Sequence, residues 1–140
     1  MTIGETTHDA AACLRALWDH VSQQTKVRYS TARTAPGVMG VCLPCLPGEG
    51  TAEIFLFRDT LPVPADEPDV NTEPLVDTCR LAHEFGHLLS FRERGGRRIR
   101  ADAAAQLQEE ELAWEHARSL LLTLGFSEWA AFDAEREKSL

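Results

Sequence analysis

His83, Glu84 and His87 form the pattern H-E-x-x-H, whose residue types and spacing suit one chemical task. On a helix, residues four apart project from the same side, so both imidazoles can bind one metal ion. Glu84 lies about 100 degrees round the helix from His83, which keeps it outside the coordination sphere but within reach of a metal-bound water. We therefore expect Zn²⁺ as cofactor, and hydrolysis by the metal-bound water with Glu84 as general base.

Zinc held for catalysis usually has three protein ligands, so one more donor is needed. The extended pattern H-E-x-x-H-x-x-G-x-x-H does not supply it, because Ser90 stands in place of Gly and Glu93 in place of His. Glu110 is the stronger candidate, since it shares a helical stripe with residues expected to face the core. These are Ala113, Trp114, Ala117 and Leu121. A carboxylate that points inward needs a partner, and zinc is one.

The two neighbours of Glu110 are expected to point elsewhere. Glu109 and Glu111 lie on either side of the stripe, and three adjacent glutamates normally indicate a solvated helix face. We therefore expect both to be exposed, although each stays a candidate for the third ligand. Glu93 and Asp102 are weaker candidates for the same position.

Hydrophobic periodicity and turn residues predict the elements that must position these side chains. Helices are expected at 7–25, 73–92 and 102–124, and strands at 27–32, 37–43 and 52–58. The segment 61–74 carries four prolines with several acidic residues, which predicts an extended surface linker.

Helix boundaries are predicted from capping residues. Thr6 to Asp9 resembles a capping box at the start of the first helix, and Asp102 is a suitable N-cap for the third. Gly95 with Gly96 and, later, Gly125 should end the second and third helices. Ser127 is expected to cap a short last helix that bears Trp129 and Phe132.

The motif, followed on a later helix by Glu110-x-x-Ala113-Trp114, resembles the gluzincins. In its brevity the chain is similar to the minigluzincins and the related ImmA/IrrE zincin-like domains, and the similarity covers about 52–124. The resemblance implies an α+β fold, with a small mixed sheet, an active-site helix and further packed helices. It also implies that His83, His87 and Glu110 are metal ligands and that Glu84 is the catalytic base.

By this resemblance the chain is expected to be a zinc-dependent metallopeptidase with a peptide or protein substrate. The strand at 52–58 could bind an extended substrate along its edge. Gluzincins commonly add a tyrosine or histidine that stabilises the oxyanion, for which Tyr29, His116 and His20 are equal candidates. The alternative is a non-catalytic or regulatory protein of the same fold that acts through a dedicated partner.

Composition limits the other classes of function. A chain of 140 residues with 44% hydrophobic residues can form one domain, expected to span 1–140. The formal charge of −8 argues against binding to nucleic acid or to an anionic membrane. Neither a signal peptide nor an apolar run of membrane-spanning length is present, so a cytoplasmic location is expected.

Two further features have several interpretations. Among the four cysteines only Cys42 and Cys45 have C-x-x-C spacing, which fits a structural turn, a redox pair or part of a second zinc site. Five arginines follow the motif and fit either a solvated loop or an anion-binding site. They are Arg92, Arg94, Arg97, Arg98 and Arg100.

Overall fold

The computed structural model describes the backbone of residues 3–140 and the side chains of residues 10–140. Its elements, in chain order, are α1 (Ile3–Ser22), β1 (Thr25–Ser30), β2 (Gly40–Leu43), β3 (Ala52–Phe57), α2 (Pro74–Glu93), α3 (Ala103–Thr123) and α4 (Trp129–Ser139). The fold is α+β with a small mixed sheet, which confirms the predicted class.

The sheet has the strand order β1-β3-β2. β1 pairs parallel with β3, with Thr25 opposite Ala52, and β2 pairs antiparallel with β3, with Gly40 opposite Leu56. The strand expected at 52–58 is therefore the central one, and both of its edges are already paired. The prediction that it binds a substrate along its edge is wrong, and β2 is the edge strand on that side.

Most predicted boundaries fall within a few residues of the observed ones. Asp102 caps α3 by accepting a hydrogen bond from a backbone amide in the first turn, as predicted. The capping box at 6–9 is wrong, because α1 already begins at Ile3 and continues through those residues. The N-cap of α4 is Glu128 rather than Ser127.

The core lies between the sheet and the helices and is formed by one cluster of buried apolar side chains. α1 contributes Leu17, β3 contributes Ile54, and α2 contributes Leu81, Phe85 and Leu88, each at most 2% exposed. The buried back face of α2 fixes this helix against the sheet, so its opposite face carries the histidines in a defined position.

The segment 61–74 is irregular, as predicted, but it is not only a surface linker. The backbone N–H of Tyr29 donates to the carbonyl of Ala65, so the segment covers the outer edge of β1. The N–H of Asp69 donates to the hydroxyl oxygen of Tyr29 at 2.9 Å. These bonds hold the chain in place immediately before α2.

A buried ionic cluster ties the same segment to the first turn of α2. The hydroxyl of Tyr29 donates to Asp77, and the guanidinium of Arg58 donates to both Asp77 and Asp69. Burial raises the pKa of Asp77 in spite of these partners. We call Tyr29, Arg58, Asp69 and Asp77 the closed cluster, because it supplies its own cation within the protein.

Candidate metal centre

The motif lies in the middle of α2, where α3 approaches unusually closely. A Cβ built on Gly86 would lie 2.1 Å from the carbonyl oxygen of Ala113, a distance that no side chain tolerates. The glycine therefore permits the contact between the two helices. The close packing brings the glutamates of α3 against the histidines of α2.

Glu110 contacts both histidines of the motif. Its Oε2 lies 2.7 Å from Nε2 of His83, and its Oε1 lies 3.3 Å from Nε2 of His87. The two Nε2 atoms thus meet at one carboxylate that is half-buried and faces a cleft. This is the arrangement expected of three ligands to a single ion.

Glu84 is buried on the other side of His83, with its Oε2 3.3 Å from Nδ1 of that ring. One oxygen of Glu84 and one ring nitrogen from each of His83 and His87 lie within 4.8 Å of one another. Glu84 and Glu110 are therefore both close enough to compete for the third ligand position. We favour Glu110 because it contacts Nε2 of both rings, whereas Glu84 lies at Nδ1 of one.

The prediction that Glu109 is exposed is wrong, because its side chain is buried. Its carboxylate accepts hydrogen bonds from Nδ1 of His87 at 2.6 Å, from the hydroxyl of Ser90 at 2.7 Å and from Arg94. An N–H held in this way fixes the ring so that Nε2 is free for a metal. Glu111 is exposed, as predicted.

The sequence contained a signal for this role. Glu109 lies four residues before Ala113 and eight before Ala117, so it borders the same buried stripe as Glu110. Because α2 and α3 approach so closely, the stripe is wide enough for two adjacent carboxylates.

The protonation of these groups is linked. Burial lowers the pKa of His87, but hydrogen bonds to Glu109 and Glu110 outweigh it and raise the pKa to about 10. The pKa of His83 is raised in the same way, against burial, by Glu110 and Glu84. Burial raises the pKa of Glu110, yet its bonds to both histidines lower it to about 2. The carboxylate therefore stays ionised, as a ligand must.

The remaining candidates for the third ligand lie elsewhere. Glu93 is 64% exposed and pairs with His116, and Asp102 is engaged as the helix cap. Neither carboxylate belongs to the described residues that line the cleft.

The three oxyanion candidates are not brought to the site. Tyr29 is 2% exposed inside the closed cluster, His116 pairs with Glu93, and His20 packs edge-on against Phe85. The lining of the cleft, within the described residues, includes none of these three side chains. That part of the prediction is wrong.

The cleft has a volume of about 1010 Å³ and lies between β2, α2, α3 and the end of α4. Sequence reasoning missed two of its residues. Trp114 stacks on His83 with ring centroids 4.2 Å apart and planes 8° apart, and Arg80 lies one turn before His83. The sequence placed Trp114 in the buried stripe and in the family pattern without a contact to a histidine, and Arg80 belonged to no motif.

Gly40 lies in β2 directly opposite Glu84, the candidate catalytic base. A Cβ at this position would lie 3.2 Å from Oε2 of Glu84. The missing side chain lets the backbone of the edge strand lie close to the carboxylate.

Within the described residues, the cysteines add no ligand group to the centre, and one of the five arginines, Arg94, takes part in it. Burial raises the pKa of the Cys42 thiol to about 12, which disfavours a reactive thiolate. In the described part of the chain no disulfide joins the four cysteines, and they form no group of three or more potential metal ligands. Of the arginines, Arg94 is bound to Glu109 and lines the cleft.

The charges of the centre fit a divalent cation. Glu84, Glu109 and Glu110 carry three negative charges and Arg94 one positive charge, which leaves two negative charges when the histidines are neutral. Two imidazoles and a carboxylate beside a cleft form a donor set that zinc accepts, with an open coordination position. The residues present therefore fit Zn²⁺.

Comparison of the chain with protein-family models, curated proteins and solved structures gives no match. Over residues 3–140, no helix combines the length and the apolar character that crossing a membrane requires.

Proposed function

We propose that this protein is a zinc-dependent metallopeptidase of the gluzincin type. The observation that carries the proposal is the convergence of His83, His87 and Glu110 in the middle of a cleft, beside the buried carboxylate of Glu84. A site that only holds helices together needs neither an additional carboxylate nor an open cleft. The alternative role as a non-catalytic module explains the ligands but not Glu84.

A zinc ion bound by these three residues would acidify a water and polarise a peptide carbonyl. Glu84 then accepts the proton of the attacking water and returns it to the leaving amine as the C–N bond breaks. Glu109 holds the His87 ring in one orientation through Nδ1, while Arg94 and Ser90 hold Glu109. Trp114 covers one face of the His83 ring and restricts its rotation.

β2 supports binding of an extended peptide in the cleft. Its edge away from β3 has no strand partner in the described residues, and all of β2 except Leu43 lines the cleft. A peptide that adds to this edge is held by main-chain hydrogen bonds and passes Gly40, opposite Glu84. This mode of binding tolerates varied substrate sequences.

Glu84→Gln tests the proposal. Gln is nearly isosteric, so the variant should bind zinc as the wild type does, while hydrolysis of unfolded protein substrates falls about 100-fold to 10,000-fold. Zinc content by mass spectrometry and cleavage of casein by the zinc-loaded chain measure both quantities. Glu111→Gln, exposed on α3, is the matched control and should be fully active. Equal activity of wild type and Glu84→Gln, or no cleavage by the wild type, would contradict the proposal.

A further inference from the structure

The cleft has two unlike ends, separated by the metal ligands. Arg80, His83, His87 and Phe91 follow one another at spacings of three and four along α2, and all four line the cleft. They therefore share one helix face, with Arg80 one turn before the first histidine and Phe91 one turn after the second.

The end at Phe91 is lined mainly by apolar side chains, and Arg94, which also lines the cleft near this end of α2, is bound to Glu109. Ile99 and Leu107 line this end from the segment before α3 and from its first turns, and Pro44 lines it from the end of β2. Leu107 is 47% exposed, so this end offers uncovered apolar surface to a ligand.

The end at Arg80 carries an excess of positive charge. Nε of Arg80 donates to Glu135 at 2.9 Å, and Nζ of Lys138 donates to the same carboxylate at 2.8 Å. All three residues line the cleft, and together they carry two positive charges and one negative charge. In a protein of formal charge −8, a local cationic surplus beside the metal site favours an anionic ligand group.

The direction of β2 orients a bound peptide between these ends. Gly40, at the start of the strand, lies opposite Glu84, whereas Leu46, beyond its end, lies against Gly96 at the end of α2. β2 thus runs from the histidines towards the apolar end. A peptide in antiparallel pairing, the more stable kind, runs the other way and has its C-terminal part at Arg80.

We propose that Arg80 binds a carboxylate on the C-terminal side of the cleaved bond, and that the apolar end binds the side chain before it. The carboxylate comes from an acidic side chain or from the C-terminus of a short peptide. The inference rests on the proposed peptidase function, because it assigns the substrate class of the same cleft. Glu135 positions the guanidinium of Arg80 and competes with the ligand for it.

Binding to the zinc-loaded Glu84→Gln chain tests this assignment without cleavage. The probes are three pairs of blocked hexapeptides with one leucine, in which Asp or Asn occupies the first, second or third position after the leucine. A fourth pair differs only in its C-terminus, which is a free acid or an amide. Because Arg80 should form a charge-assisted hydrogen bond with the carboxylate, the acidic peptide of one pair should bind about tenfold more tightly than its neutral counterpart. Calorimetry gives the affinities, and the Asp and free-acid pairs distinguish the two sources of the carboxylate.

Three further substitutions separate binding from structural effects. Arg80→Gln should abolish the preference for the acidic peptide, Glu135→Gln should increase it, and Arg100→Gln, whose side chain is 88% exposed, should leave it unchanged. Should Arg80→Gln not fold, Arg80→Lys replaces it and should retain part of the preference, because it keeps the charge without the planar donors.

The proposal is overturned by equal affinities for acidic and neutral peptides, by a preference that survives Arg80→Gln, or by no binding of any peptide at millimolar concentration. A preference for Asp only before the leucine would also overturn it. If the acidic peptides bind preferentially but the zinc-loaded wild type does not cleave them, the peptidase function fails and the carboxylate site stands.

Discussion

Two buried ionic clusters lie along α2, and they differ in how their charges are balanced. The closed cluster at the first turn contains Arg58, whose guanidinium binds both of its carboxylates. The cluster at His83 and His87 has three carboxylates but one arginine, and it faces the cleft. A cluster whose carboxylates share a cation within the protein is structural, whereas one that is left with two negative charges when its histidines are neutral, and that faces an opening, is suited to binding a cation.

The largest expected effect is the loss of zinc from the cluster at His83 and His87. His87→Ala leaves one imidazole and one carboxylate, which cannot hold zinc against solvent at micromolar concentration. Metal analysis after dialysis should find about one equivalent in the wild type and none in the variant. His116→Ala is the matched control, because this histidine pairs with Glu93 outside the cleft. Equal zinc content in His87→Ala and wild type would remove the distinction between the clusters.

Breaking the closed cluster should instead destabilise the fold. Arg58→Met leaves the buried carboxylate of Asp77 without its cation, which should lower the free energy of unfolding by about 3 kcal/mol. Urea denaturation measures the loss, while the folded variant should still bind one equivalent of zinc. Unchanged stability would mean that the closed cluster is not structural, and loss of zinc from the folded variant would mean that the two clusters are not independent.

The three adjacent glutamates of α3 should have graded effects on zinc affinity. Glu110→Gln should weaken binding most, as expected of a ligand, and Glu109→Gln by about 10-fold to 100-fold, as expected of a residue that orients His87. Glu111→Gln, on the exposed side, should have no effect and serves as control. Competition with a chelator gives the three affinities. Equal effects of Glu109→Gln and Glu111→Gln would mean that the bond to His87 does not matter.

The sequence alone was sufficient to predict the features that depend on regular spacing along one helix. The periodicity of α2 predicts its bounds and its buried face, and the spacing of His83 and His87 predicts that they share the other face. Contacts between elements were less predictable. That β3 is central depends on the order of the strands, and the burial of Glu109 depends on how closely Gly86 lets α3 approach.

Arg80 shows the same limit. Its position three residues before His83 places it on the same helix face as the motif, but nothing along the chain indicates its partner. Its relevance comes from α4, which returns 55 residues later and brings Glu135 to it at the edge of the cleft. A single sequence contains no local signal for such a pair.

The coordination of zinc in the zinc-loaded chain tests the central claim most directly, because it decides between the two carboxylates near His83. A crystal structure of this form should show the ion bound by Nε2 of His83, by Nε2 of His87 and by Glu110 at about 2.0–2.2 Å. The carboxylate of Glu84 should lie beside a water on the ion and not bind the ion itself. Direct coordination by Glu84 in place of Glu110, or zinc bound away from the two histidines, would contradict the account.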